Sequence, residues 1–139
     1  MKLSTFSILL LLIFSTYSSF VFATSKFDEK QEAKVTLLQY LSKRSQGEYI
    51  ECKRFLSKKF LQDFIKKFGS TYVDYYRWEK EEHYFNFKII DALKTKGLIS
   101  IEVSVEVQVP GYTGEALESY RMGLEEGHWK IVGYDIEYK

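Results

Sequence analysis

Within LISIEVSVEVQV, Leu98 to Val109, every odd position is apolar: Ile99, Ile101, Val103, Val105, Val107 and Val109. The even positions that follow Leu98 are Ser100, Glu102, Ser104, Glu106 and Gln108. Successive side chains of a strand point to opposite faces, so this pattern describes a long antiparallel strand with one face on a core and the other in water. A strand of this kind requires neighbours to pair with and a layer to cover its apolar face.

The neighbours lie on both sides. Upstream, His83, Phe85, Phe87 and Ile89 alternate with Tyr84, Asn86 and Lys88, and KTKG makes the turn into the long strand. On this spacing Phe85 and Phe87 face the core together with His83 and Ile89. Downstream, PGYTGE reads as a loop, ALESYRMGLEE as a third strand, EGH as a tight turn around Gly127, and WKIVGYDIEY as a fourth strand with Trp129 and Ile131 turned inward.

The covering layer comes first in the chain, where the period is helical. Ala33, Leu37, Leu38, Tyr40 and Leu41 recur at three- and four-residue steps after a capping pair at Ser25 and Asp28, and Gly47 ends that helix. Tyr49, Cys52, Phe55, Leu56, Phe60, Leu61, Phe64, Ile65 and Phe68 form a second apolar stripe, divided into two helices at Ser57 and stopped by Gly69. Helices followed by strands imply an α+β fold, with N-terminal helices packed on a curved antiparallel four-stranded sheet. The mature chain holds no repeat and no low-complexity linker, so residues 24 to 139 read as one domain.

Residues 1 to 23 differ from the rest. Lys2 is their only charge, and FSILLLLIFSTYSSFVF runs up to Val21 and Ala23, the small residues of a signal-peptide cleavage site. The expectation is an exported protein, periplasmic or secreted, without stable membrane insertion after cleavage. The alternative is an uncleaved anchor formed by Phe6 to Phe22.

Beyond Lys2, 19 basic residues balance 19 acidic ones, which gives no overall attraction to nucleic acid. The charge is nonetheless uneven, with a local +4 over residues 51 to 70 and a local −5 over residues 98 to 127, the pattern of two solvated faces. Cys52 is the only cysteine, so no internal disulfide forms, and it reads as a buried small hydrophobe.

YLSKRSQGEYIECKRFLSKKF resembles the N-terminal helices of NTF2-like (nuclear transport factor 2-like, cystatin-like cone) domains, in which a Gly-acidic-Tyr step leads into the second helix. SYRMGLEEGHWKIVGYDI is similar to their C-terminal hairpin. The resemblance implies a cone with a cavity at its wide end. It also implies that the aromatic stretch STYVDYYRWEKEEHYFNF lies at the rim and along one wall.

Tyr72, Tyr76, Trp78 and His83 are therefore the ligand-binding candidates, because tyrosine and tryptophan bury apolar area and keep one polar end. The same side chains serve equally as a lid over the core. No catalytic residue is assigned, since nothing matches a nucleophile elbow or a phosphate loop, and no metal ligands or cofactor are expected. His83, His128, Asp74, Asp91, Asp135 and Tyr120 are the titratable groups that a cone-fold isomerase or hydratase would recruit.

Glutamates on the wet strand face disfavour sheet-to-sheet pairing, so the expected state is a monomer. The expected partner is a small apolar ligand or another protein. Three readings remain at this point: a non-catalytic binding or accessory domain, a cone-fold enzyme, and a membrane-anchored secretion-assembly component.

Overall fold

Asp28 starts helix α1 (Glu29–Ser45) by accepting the Gln31 amide at 3.2 Å, which satisfies one of the donors that a helix start leaves free. The structure, a computed structural model, describes residues 28 to 139 apart from Lys80 and Glu81. The signal-peptide expectation and Ser25 lie outside the described residues. The stripe of α1 that is buried comprises Ala33, Leu37, Tyr40, Leu41 and Arg44.

A short helix α2 (Tyr49–Cys52) tightens into a 3₁₀ turn (Lys53–Phe55). Ser57, in extended conformation, then caps α3 (Lys58–Phe68) by accepting the Phe60 amide at 3.0 Å. Gly69 ends α3 at φ 74°, a left-handed conformation that costs glycine little. The break at Ser57 and the stop at Gly69 therefore fall where the spacing puts them. The aromatic connector is more ordered than its sequence suggests. Thr71 caps a single helical turn, α4 (Tyr72–Asp74), which runs on into a π-helical turn (Tyr75–Glu79).

The sheet follows as an antiparallel meander of β1 (His83–Thr95), β2 (Leu98–Val109), β3 (Tyr112–Glu125) and β4 (His128–Tyr138), in that spatial order. Two hairpins turn on Lys96-Gly97 and Glu126-Gly127, where all four residues have positive φ. That conformation matches the twist of two-residue hairpins and explains a glycine at the second position of each. The PGYTGE loop is shorter than its sequence suggests, because Tyr112 already pairs with Val109.

The alternation in β2 holds along its length: Ile99, Ile101, Val103, Val105 and Val107 are buried. In β1 it does not. Phe85 pairs with Glu106 and Lys88 with Ser104, so Asn86 and Phe87 together face one residue of β2, and Asn86 takes φ 50°. This bulge changes the inward set. Tyr84 is buried before it, Phe87 and Ile89 pack on the core after it, and Phe85 and His83 leave the core face. β1 shifts register again at Ile90, and an irregularity at Val132 shifts β4 from inward Trp129 and Ile131 to inward Tyr134 and Ile136.

Bulges bend the strands that carry them, and the result is a curved sheet over the helices in a cone-like α+β arrangement. Its main core joins Leu37 and Leu41 of α1 to Ile99, Ile101, Met122, Trp129 and Ile131. Ser57 ties the helical layer to the sheet edge by donating its amide to the Ile131 carbonyl at 3.0 Å. Part of the basic surface also meets the acidic one, with Lys58 3.1 Å from Glu126. Among the described residues no helix is long and apolar enough to cross a membrane.

Candidate functional site

Arg44 occupies the last turn of α1 on the same stripe as Leu37 and Leu41, so its side chain enters the core. Glu118 meets it from β3, where the two-residue period puts it inward with Ala116, Tyr120 and Met122. The guanidinium donates to Glu118 through Nη1 at 2.6 Å and Nη2 at 2.9 Å, and Nη1 also donates to the Tyr120 hydroxyl at 2.7 Å. The Tyr134 hydroxyl donates to Glu118 Oε1 at 2.8 Å. Arg44 is 4% exposed and Glu118 0%, so the pair stands out of water.

An ion pair this deep is viable because tyrosine hydroxyls use the remaining carboxylate lone pairs and tyrosine rings flank the cation. The guanidinium carbon lies 4.1 Å from the centre of the Tyr84 ring. Burial works against the Arg44 charge, but Tyr120 and Glu118 outweigh it and hold the group charged, well above its ordinary value. Only Nε of Arg44 lacks a partner among the buried side-chain polar atoms of the described residues.

Arg44 also lines a cleft of about 600 Å³ between the end of α1, the π-helical turn and the start of β1. The cleft is lined by Tyr49, Tyr76 and Tyr84, with Arg77, Glu82 and His83 and the β2–β3 turn at Pro110-Gly111 completing its wall. Tyr49 and Tyr76 stack with ring centres 5.7 Å apart and planes 20° from parallel. Its volume lies within the range of about 300–1,000 Å³ usual for small-molecule sites. The π turn that carries Tyr76 is a conformation found mostly in short pieces and often at functional sites.

The four sequence candidates separate. Tyr76 and His83 line the cleft. Tyr72 does not: it is 2% exposed, its hydroxyl is 2.7 Å from that of Tyr40, and its ring packs edge-on to Phe64. Trp78 points to solvent, 74% exposed, near the Arg77 guanidinium. The reason is the helical geometry of the connector, which sends Tyr72 and Tyr76 to one side and Trp78 to the other.

Arg44, Tyr49, Arg77, Tyr84 and Glu118 were not singled out as site residues in the sequence. Their signals were nevertheless present for two of them: Arg44 continues the α1 stripe, and Glu118 occupies an inward position of β3.

A second groove of about 380 Å³ runs between α3 and β4, with Phe60, Phe64, Phe68, Tyr75, Tyr76, Tyr134 and Ile136 along it. Tyr76 borders both spaces and thus forms the partition between them. Burial raises the hydroxyl of Tyr76 well above the ordinary tyrosine range. Cys52 is buried, and burial pushes its thiol up to about 11, which keeps it in the unreactive protonated form. Among the described residues no group of three or more His, Cys, Asp or Glu side chains is placed to hold a metal ion.

No protein-family model matches the chain, and no curated protein is significantly similar to it in sequence.

Proposed function

We propose that this chain is an exported NTF2-like domain that binds a small apolar or aromatic molecule in the cleft of Tyr49, Tyr76 and Tyr84 and performs no chemistry on it. The observation that carries this reading is the stacked Tyr49–Tyr76 pair lining the same cleft as Arg44 and Tyr84. Three amphipathic rings supply ring faces for an aromatic body, and the rest of the lining is largely polar, with Gln46, Arg77, Glu82, His83 and Gln108.

The non-catalytic part is supported by the fate of the deepest carboxylate. Glu118 is fully buried and its oxygens are engaged by Arg44, Tyr120 and Tyr134, so it is not free to take a proton from a ligand. The signal-like residues 1 to 23 support export, and the order of helices before a curved meander supports the NTF2-like reading. A monomer is favoured because Glu106 stands directly opposite Glu115 on neighbouring strands of the outer sheet face, which a two-fold copy would crowd further.

Native mass spectrometry of the exported protein tests the reading, because it reports the processed mass, the oligomeric state and any retained small molecule together. A monomer that carries a small molecule, with that molecule lost in Tyr76→Leu, is the expected result. A ligand-free spectrum unchanged by addition of aromatic fragments would overturn it.

A further inference from the structure

We infer that the free edge of β4 takes up an extended peptide of alternating apolar and basic residues as a fifth strand, in the groove between α3 and β4. This interaction does not depend on the reading of the cleft.

β1 and β4 are the two edges of the sheet. An edge strand presents unpaired N–H and C=O groups, and proteins blunt such edges with bulges and lysines. β1 is blunted in both ways, since its register shifts twice against β2 and Lys88 and Lys94 lie along it. β4 is not. After the irregularity at Val132 it pairs without interruption over residues 133 to 138, and that run holds neither lysine nor proline. The chain itself uses one position of this edge, where Leu56 bridges Ile131 in parallel and Ser57 donates to the Ile131 carbonyl. It then leaves the edge and enters α3. Among the described residues no hydrogen bond joins the backbone of residues 132 to 137 to the helical layer, so an incoming strand continues a row that Leu56 begins.

The groove follows this edge. Gly133, Tyr134, Asp135 and Ile136 are consecutive and therefore alternate between the two faces, yet all four border the groove. Four steps from Val132 to Ile136 span about 13 Å of strand, the length of roughly five guest residues. On the inner side Tyr134 and Ile136 are half-buried and Phe68 of α3 is 40% exposed, so apolar guest side chains can reach them. Asp63 and Lys67, also on α3, offset each other. On the outer side Asp135 and Glu137 are exposed. Arg121 engages Asp135 at 2.8 Å, and Glu137 has no ion-pair partner among the described residues. Opposite charges on neighbouring strands attract and like charges repel, which selects basic guest residues on this side. The same rule disfavours a second copy of the chain, because pairing β4 with itself sets the acidic residues of both copies together.

The test uses the full chain and a capped heptapeptide that alternates lysine with valine and phenylalanine, read by amide hydrogen exchange and calorimetry. Alternate amides of residues 133 to 137, those facing away from β3, should exchange more slowly with the peptide bound. The glutamate counterpart of the peptide should bind about fivefold more weakly, and added salt should narrow the gap. Glu137→Lys, a change at an exposed position, should narrow it as well. The peptide N-methylated throughout should not bind, since it cannot complete the ladder.

Unchanged exchange along β4 at millimolar peptide, or slowing along β1 instead, would overturn the inference. So would equal binding of the N-methylated form, which would mean that side chains alone are recognised. Equal affinities for the lysine and glutamate peptides would overturn the basic class of guest. A dimer whose β4 amides are already slow without peptide would show that a second copy holds the edge. Resonances of Tyr49 and Tyr84 report the cleft separately, so failure here leaves the cleft reading standing.

Discussion

Arg44 and Glu118, 74 positions apart in the chain, form a two-pronged ion pair at 2.6 and 2.9 Å that joins the end of α1 to the middle of β3. Hydrophobic packing elsewhere in the core is non-directional and tolerates small slips of helix over sheet. This pair does not, since both prongs require one register of α1 along β3. It also positions the cleft, because the same arginine holds Tyr84 of β1 against its face.

Removing one partner leaves the other charge buried without compensation. Glu118→Ala should therefore destabilise the fold by about 3–5 kcal/mol. The double variant Arg44→Met/Glu118→Leu should recover most of that loss, because apolar residues of similar volume often replace a buried pair at no net cost. Urea melts of the single and double variants check both statements. Additive losses in the double variant would show that the two residues act independently.

Alkaline pH should unfold the domain through its tyrosines. Burial raises Tyr40 from the ordinary 10.0 to about 12, and it raises Tyr72, Tyr84, Tyr120 and Tyr134 as well. An unfolded tyrosine loses its proton near 10.0 while the folded one keeps it to about 12 for Tyr40. Between those values the native state binds more protons, so stability falls as pH rises. Tm should be flat with respect to these groups below the unfolded value and drop steeply above it. Phenolate absorbance should appear together with unfolding. A gradual absorbance rise in a protein that stays folded would mean that these rings are accessible.

Trp129 and Trp78 offer a paired test of the fold, since one is 8% exposed and the other 74%. Trp129 belongs to the core cluster with Leu37 and Leu41, and its indole N–H donates to Glu32 at 3.2 Å. Trp129→Ala should cost about 3–5 kcal/mol, while Trp78→Ala should stay within roughly 0.5 kcal/mol, as surface changes do. Thermal melts of both variants decide it, and a reversal of the order would contradict the strand orientation of β4.

What could be read in the sequence tracks the regularity of each element. β2 is unbroken, so its residues alternate as spacing requires and its buried face was legible without a structure. β1 carries a bulge at Asn86, and simple alternation assigned Phe85 to the core when Tyr84 and Phe87 are the residues that pack there. A bulge leaves little trace in composition, because asparagine tolerates positive φ but does not announce it.

The site was legible only in fragments. Tyr76 and His83 could be picked from the aromatic connector, but its hidden helical and π turns decided that Tyr72 goes inward and Trp78 outward. Arg44 and Glu118 occupied apolar positions in their own local patterns, yet their pairing is a tertiary relation that spacing within one element cannot express.

The most direct test of the account is a crystal structure of the protein grown with cinnamate. The account predicts the compound in the cleft between Tyr49, Tyr76 and Tyr84, with its ring against theirs. Cinnamate bound elsewhere, such as in the groove between α3 and β4, with this cleft holding only solvent, would contradict it.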